Sequence, residues 1–492
     1  MASFAYTDGQ QGPALGGGAA LFGIIAFFAL LIFVPIIEFL ELYPHHLAST
    51  AVILLCGGLI IRRHSALSFR FLSFLIIFYP ALAPAYAWDL MGVELFSWAA
   101  QSLQRDLPLV TKTVYLFALG AITFTIFALP GSRVGQSQVN AAPLQFATLD
   151  SGILCIIGFC TLISAYIIDS GPTILTSRYS EVLEGRIESS PLVVFVVSIF
   201  GGLWSLLFIF GRHRRTILWS ITFLAVLWLF LHARRVEVFG IALVLLMWAR
   251  YAFGPRRLIL IGLSFILVQF AVEVVRNFGV IQYFVTGVDA YTQEILTGFG
   301  QLSGLPGGAS NVLLSGLHLV DVKDSGTVSG MDTLTILEWP RAMIPNTIWR
   351  LLDAPPVLSE HDLIYSNLEL SYVGGMPLLV VFYLNGGVLL VLIFGAFHGF
   401  IAGKVENVFN KNLLRSFNIG GNAAFFMASV FILYQFRYHW YNPQTMVRCI
   451  SYSILLILLV SAFLKVRKIL GVNQTTVTQH KGYYRPRSER YP

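Results

Sequence analysis

Residues 377–402 read PLLVVFYLNGGVLLVLIFGAFHGFIA, 26 consecutive positions without a charged side chain. A helix of about 20 apolar residues spans a bilayer, so this run predicts a membrane span. Eleven further runs resemble it, at 19–40, 48–61, 71–90, 109–130, 152–169, 191–210, 217–233, 236–253, 258–275, 419–436 and 449–466. The chain of 492 residues is 56% hydrophobic and 12% charged. A soluble chain carries about 25% charged residues, so the composition excludes an ordinary cytosolic enzyme. The expected fold class is an all-α polytopic membrane protein with about 12 transmembrane helices.

Charge sets the expected orientation. The basic loops RRHSALSFR (62–70), GRHRR (211–215), RYAFGPRR (250–257) and KVENVFNKNLLR (404–415) share one face with the tail after Lys465. That face holds 20 of the 32 Lys and Arg residues and the other holds 12. The basic excess marks the cytoplasmic side, which puts both termini there. The expected organisation is a cytoplasmic N-terminal tail over 1–18, helices one to nine over 19–275, a large outer loop over 276–376, helices ten to twelve over 377–468, and a basic cytoplasmic tail over 469–492. The first apolar run lacks a basic leader and is too long for a cleaved signal, so it reads as a retained span. Loops as long as 276–376 are usually functional or disordered. Trp339, Trp349, Tyr365, Tyr372 and many aliphatic residues favour an ordered, functional one.

The outer side carries the chemistry. LHARRVEVFG (231–240) sets Arg234 and Arg235 in a tight turn on the face poor in basic residues. A charge in a span costs several kcal/mol unless it is paired or lines a wet cavity. Arginine keeps its charge and grips phosphate with two parallel hydrogen bonds. The pair reads either as an anion site or as side chains snorkelling to the interface, with Glu237 as a helical-face partner. Further arginines recur near the outer ends of other spans: Arg276 after Glu273, Arg341 and Arg350 in the large loop, and Arg437 in FRYHWYNP. Together they suit a polyanionic head group such as a lipid diphosphate. His439 lies beside Arg437. Its neighbours Tyr438, Trp440 and Tyr441 read as an interfacial aromatic belt or as surfaces for stacking sugar rings.

Several classes are excluded by missing motifs. The chain has no G-x-x-x-x-G-K-[ST] phosphate loop, and GFGQLSG (298–304) has the wrong spacing for a dinucleotide fingerprint. It has no H-E-x-x-H and no Asp-x-Asp pair. Cys56, Cys155, Cys160 and Cys449 lack metal-ligand spacing and form no disulfide framework. The expectation is a metal-independent protein without cofactor and without a nucleic-acid partner.

The stretch EWPRAMIPNTIWRLLDAPP, followed by SNLELSYVGGMPLLVVFYLNGGVLLVLIFGAFHGFIAG, resembles the Wzy-type O-antigen and exopolysaccharide repeat-unit polymerase family. The shared features are a Pro-Arg element in a long late loop, a Gly-containing start to the next span (Gly374, Gly375, Gly386, Gly387), and an arginine at a short mid-chain hairpin. The resemblance implies a GT-C-like bacterial inner-membrane glycosyltransferase acting on polyprenyl-diphosphate-linked oligosaccharide. Membrane lipids, a chain-length regulator and a flippase are its implied partners. The implied base that takes the acceptor proton is His361, with Glu338 second; Asp362, Glu360 and Glu369 are also in reach of the loop. Arg234 and Arg235 join them as catalytic candidates. The implied diphosphate ligands are Arg234, Arg235, Arg276, Arg341, Arg350, Arg437 and His439.

Alternatives stay open. An O-antigen ligase would use the same arginine–diphosphate chemistry with another acceptor. A polyprenyl-phosphate-sugar transferase would use acidic residues in its first outer loop, where Glu38, Glu41, His45 and His46 stand in EFLELYPHHL. A polysaccharide transporter or flippase would carry polar groups inside the bundle on broken helices, and two related halves. On the polymerase reading, Arg234→Ala or Arg235→Ala abolishes polymer while the protein still inserts. Normal polymer on a glycan gel from both single variants and the double variant would sink the arginine argument.

Overall fold

A computed structural model of the chain describes residues 44–82, 107–130, 304–326, 335–344, 349, 351–355, 375–414, 427–428 and 430–440, with scattered positions between 240 and 247 and between 443 and 466. Among the described residues every regular element is helical and there is no strand. The order is α1 (Pro44–His64), α2 (Phe69–Leu82), α3 (Leu107–Ala128), α4 (Gly304–Ser325), a single 3₁₀ turn (Thr335–Glu338), α5 (Trp339–Ala342), α6 (Leu378–Leu414) and α7 (Gln435–Trp440). Among the described residues two stretches are long and apolar enough to cross a membrane, Pro108–Ala128 and Leu378–Val408, with mean hydropathy 1.6 and 2.4.

Helix α6 is not one rod. Gly386 and Gly387 leave helical geometry, and Gly387 takes φ +63°. That φ is open to glycine and strained for any residue with a Cβ. The chain reverses there. Phe382 and Phe394, which a straight helix would hold about 18 Å apart at 1.5 Å per residue, have ring centroids 5.0 Å apart. Gly120 of α3 meets both legs: a Cβ there would stand 2.6 Å from Leu379 Cδ1, and a Cβ on Gly395 would strike the Gly120 carbonyl. The run 377–402, expected as one span, is therefore a hairpin of a short leg, 378–385, and a long leg, 388–414. The reversal is local backbone chemistry: Asn-Gly is a strong turn signal even inside an apolar run.

The short leg begins inside the bundle rather than at an end. The Met376 amide donates to the Trp440 carbonyl at 2.6 Å, and Pro377 packs at Gly316 of α4. Helix α4 lies within the stretch expected as outer loop, yet its Leu313, Leu314, Leu317 and Val320 are buried in the shared core with Leu378 and Val381. It runs parallel to the short leg, with Val312 beside Gly375 and Asp324 beside Tyr383.

Helix α3 and the long leg run together, Gly395 at Gly120 and Gly399 at Phe124. Small residues let the two backbones approach, the packing preferred where apolar solvent gives helices no hydrophobic drive to associate. Aromatic edges lock α2 to α3: Phe78 lies 6.4 Å from Phe117 and 5.8 Å from Phe124, both near perpendicular, a favoured arrangement of ring quadrupoles. Large apolar side chains also point outward, among them Leu55, Leu59, Ile126, Leu389, Ile393, Phe397 and Phe400.

A test of the α3–α6 seam follows. Any Cβ on Gly399 falls on the Phe124 carbonyl, whereas a Cβ on Gly58 meets nothing within 4 Å. Gly399→Ala should lower the melting temperature of the detergent-solubilised protein by several degrees. Gly58→Ala should leave it unchanged or raise it, since alanine is favoured over glycine in a helix by roughly 0.5–1 kcal/mol. Equal melting curves for the two variants would refute the packed seam.

Candidate functional site

Three polar groups interrupt the apolar bundle. The first closes the end where α1 stops, α2 starts and α3 stops. Arg70 is 1% exposed. Its Nε stands 3.3 Å from Glu406 Oε2. Its Nη1 donates to the carbonyls of Ala128 at 2.6 Å and Pro130 at 3.0 Å and lies 2.7 Å from His64 Nε2. Its Nη2 donates to Asn407 Oδ1 at 3.4 Å. Arg70 thus satisfies C-terminal carbonyls of α3 that no later turn can satisfy. The Arg70 amide, in the first turn of α2, donates to the same Glu406 carboxylate at 3.4 Å. A buried pair of this kind gains little over apolar packing, but losing one partner costs about 3–5 kcal/mol. The group is a clamp that sets how four elements meet.

The second group lies deeper, in the half of the bundle nearer Arg70. His398 Nδ1 donates to the Phe394 carbonyl at 2.8 Å. Its Nε2 then accepts from the Tyr438 hydroxyl at 3.0 Å. The His439 ring stands 5.0 Å from the His398 ring. His439 Nε2 donates to Gln435 Oε1 at 3.1 Å, an oxygen that also accepts from Ser73 Oγ at 3.1 Å. Among the described residues the buried His439 Nδ1 has no hydrogen-bond partner. Both histidines are 2% exposed. His439, expected at an outer end facing a ligand, is thus an interior residue. The cause is the hairpin: the short leg starts at Trp440, which draws α7 into the bundle.

The third group sits at the opposite end, around the hairpin tip. Lys112 of α3 pairs with Asp324 of α4 at 2.5 Å, and the Tyr383 hydroxyl donates to Asp324 Oδ1 at 2.8 Å. Two residues on, Asn385 is fully engaged. Its Nδ2 donates to Thr335 Oγ1 at 3.1 Å and to the Val381 carbonyl at 2.8 Å, and its Oδ1 accepts from the Ile336 amide at 3.2 Å. This docks the arm 335–342 on the tip, where the Trp339 ring packs 5.9 Å from Phe382 and 6.5 Å from Tyr438.

The docked arm presents a charge. Arg341 Nη1 pairs with Glu338 Oε2 at 2.7 Å, and the two side chains are 35% and 31% exposed. Arg341 Nη2 donates to the Pro355 carbonyl at 3.0 Å. The guanidinium lies 5.4 Å from the Trp349 ring centroid, and Trp349 Nε1 returns a bond to the Arg341 carbonyl at 3.0 Å. These contacts use two of the five N–H donors an arginine offers, and leave an oriented, partly exposed cation. Such a group can hold a phosphate or diphosphate oxygen.

Of the residues singled out from sequence, the structure brings Glu338 and Arg341 together and buries His439 elsewhere. Arg437 lies on α7, and its side chain is outside the described residues, as are Arg234, Arg235, Arg276, Arg350 and His361. Among the described residues no group of three His, Cys, Asp or Glu side chains is placed to hold a metal. Asn385, Tyr383, Lys112, Asp324 and His398 were not singled out from sequence. The Asn-Gly-Gly in an apolar run was the signal that could have found Asn385. No family model matches this chain, and no curated protein or solved structure is significantly similar to it.

The first group makes stability depend on pH. His64 lies just past the run 48–61, and its pKa is held below the ordinary 6.5 by burial first and then by the charge of Arg70. The Leu129 carbonyl, 3.1 Å from His64 Nε2, opposes this shift without reversing it. The unfolded chain binds a proton near pH 6.5 where the folded chain does not, so this stability is complete above 6.5 and is lost as pH falls below it. Melting temperature from pH 8 to 5 should therefore drop more steeply for the native protein than for His64→Asn. Parallel curves would remove His64 from the clamp.

Proposed function

We propose that this chain is a multi-pass bacterial inner-membrane glycosyltransferase that polymerises polyprenyl-diphosphate-linked oligosaccharide repeat units at the outer face. The observation that carries the reading is Arg341: a permanent cation in the Trp-Pro-Arg element, braced by Glu338, Pro355 and Trp349 and left about one third exposed. The membrane setting is supported by the outward apolar side chains of α1, α3 and α6, since exposed apolar patches of that kind are rare on soluble monomers. About 12 spans, a GT-C-like fold and cytoplasmic termini belong to the same proposal. In it the Arg70 end, where loop 62–70 meets Glu406, is cytoplasmic and the Lys112 end is outer.

In the proposed reaction an acceptor sugar hydroxyl attacks the anomeric carbon of the donor glycan. The new glycosidic C–O bond forms as the bond to diphosphate breaks, and the polyprenyl diphosphate leaves with the electron pair. Preorganised positive charge at the leaving oxygens is worth most in such a step, which is the role given to Arg341. A base takes the hydroxyl proton, His361 or Glu338. Glu338 is already the counterion of Arg341, which favours bracing as its main work.

A second reading, transport of the lipid-linked sugar, is favoured by the broken α6 and the buried His398–His439 group, since transporters build sites on discontinuous helices. The two readings separate in cells. On the polymerase reading, Arg341→Ala reduces polymer by about 100-fold or more, with single repeat units retained and the protein present in membranes. Arg341→Lys restores little, because an ammonium cannot make paired bonds to a diphosphate. Full-length polymer from Arg341→Ala would overturn the role of Arg341. Loss of all extracellular glycan, with lipid-linked units trapped inside, would favour transport.

A further inference from the structure

We infer that Asn385, at the hairpin tip, is a positioning residue that holds the Arg341 arm in its working place. The role in catalysis rests on the proposed function; the docking does not. The hairpin tip is pinned on two sides. Tyr383 ties it to Asp324, which is paired with Lys112. Asn385 ties it to Thr335 and Ile336. One carboxamide thus serves an amide, a hydroxyl and a helix carbonyl, and it is 9% exposed. The arm between Thr335 and Ala342 is short: one 3₁₀ turn and one helical turn. Elements this short are marginal alone, so the arm's geometry depends on what it is docked against. Asn385 supplies the polar part of that docking, and Trp339 against Phe382 supplies the apolar part. Arg341 lies one helical turn from Glu338 and moves with the arm.

The residue type is chemically demanding. Aspartate keeps an acceptor for the Ile336 amide but loses both donors. Leucine loses all three bonds and leaves the Thr335 hydroxyl and the Ile336 amide to be satisfied elsewhere. Gly386 and Gly387 follow at once, so the side chain that docks the arm is set by the same turn that reverses the helix.

The test uses the full-length protein in native membranes with Ala342→Cys as a reporter. Ala342 is fully buried, so the thiol should react slowly with a membrane-impermeant maleimide, measured against the chain without the added cysteine. Adding Asn385→Leu should speed labelling about tenfold or more, with Asn385→Asp intermediate. Unchanged protection in Asn385→Leu would overturn the docking. If Ala342→Cys itself perturbs the fold, limited proteolysis within 335–355 of the Asn385→Leu chain reads the same release. The catalytic role is read separately, as polymer yield per inserted protein. Asn385→Leu should cut polymer at least tenfold in the native background and add little in an Arg341→Lys background. Multiplying losses in the two variants would mean that Asn385 does not act through Arg341. Release of the arm together with normal polymer from Arg341→Ala would leave the docking standing and remove the proposed function.

Discussion

The reversal at Gly386–Gly387 is the constraint on which the rest of the described structure depends. A helix of 31 residues, Leu378–Val408, would otherwise pass through the bundle as one rod. With Gly387 at φ +63°, the first two turns fold back beside the long leg. Several consequences share this cause. The short leg begins in the interior, so Met376 has to find an acceptor there, and the Trp440 carbonyl provides it. Helix α4 is drawn in parallel to the short leg, with Gly316 allowing Pro377 close approach. The hairpin tip arrives at one end carrying Tyr383 and Asn385, the two side chains that gather α3, α4 and the Arg341 arm.

The two ends of the bundle handle charge differently, and the difference follows burial. At one end Arg70 is enclosed among polar partners: Glu406, Asn407, His64 and the Ala128 and Pro130 carbonyls. A charge so enclosed contributes definition of geometry more than stability. At the other end Lys112, Asp324, Glu338 and Arg341 remain 31–43% exposed, where pairing is worth little energetically. Those charges are oriented and accessible together, which is the arrangement a charged ligand requires.

Between the ends, the His398, Tyr438, His439, Gln435 and Ser73 group is the polar core of the α2–α6–α7 contact. Its bonds run in sequence from backbone carbonyl to imidazole to phenol on one side, and from hydroxyl to carboxamide to imidazole on the other. Hydrogen bonds of this kind gain strength in a low dielectric and fix one packing over its neighbours. Among the described residues His439 Nδ1 has no hydrogen-bond partner, and it is the feature through which a transport reading would have to work.

Composition and run length alone made an apolar, helical chain the expectation, because uncharged runs of about 20 residues suit helices that satisfy their own backbone, and every regular element among the described residues is helical. Arg341 and Glu338 were each singled out from sequence in separate roles, and the structure pairs them at i,i+3. The hairpin was not legible by run length, which counts apolar residues and is blind to whether the backbone stays straight. The burial of His439 was not legible for the same reason, since it depends on where the short leg of α6 begins. The clamp at Arg70 joins residues 336 apart in sequence, and the docking of Asn385 joins residues about 50 apart. Pairings at such separations leave no periodicity or spacing in the chain. The docking of Asn385 depends in addition on the turn at two glycines that brings one helix back alongside itself.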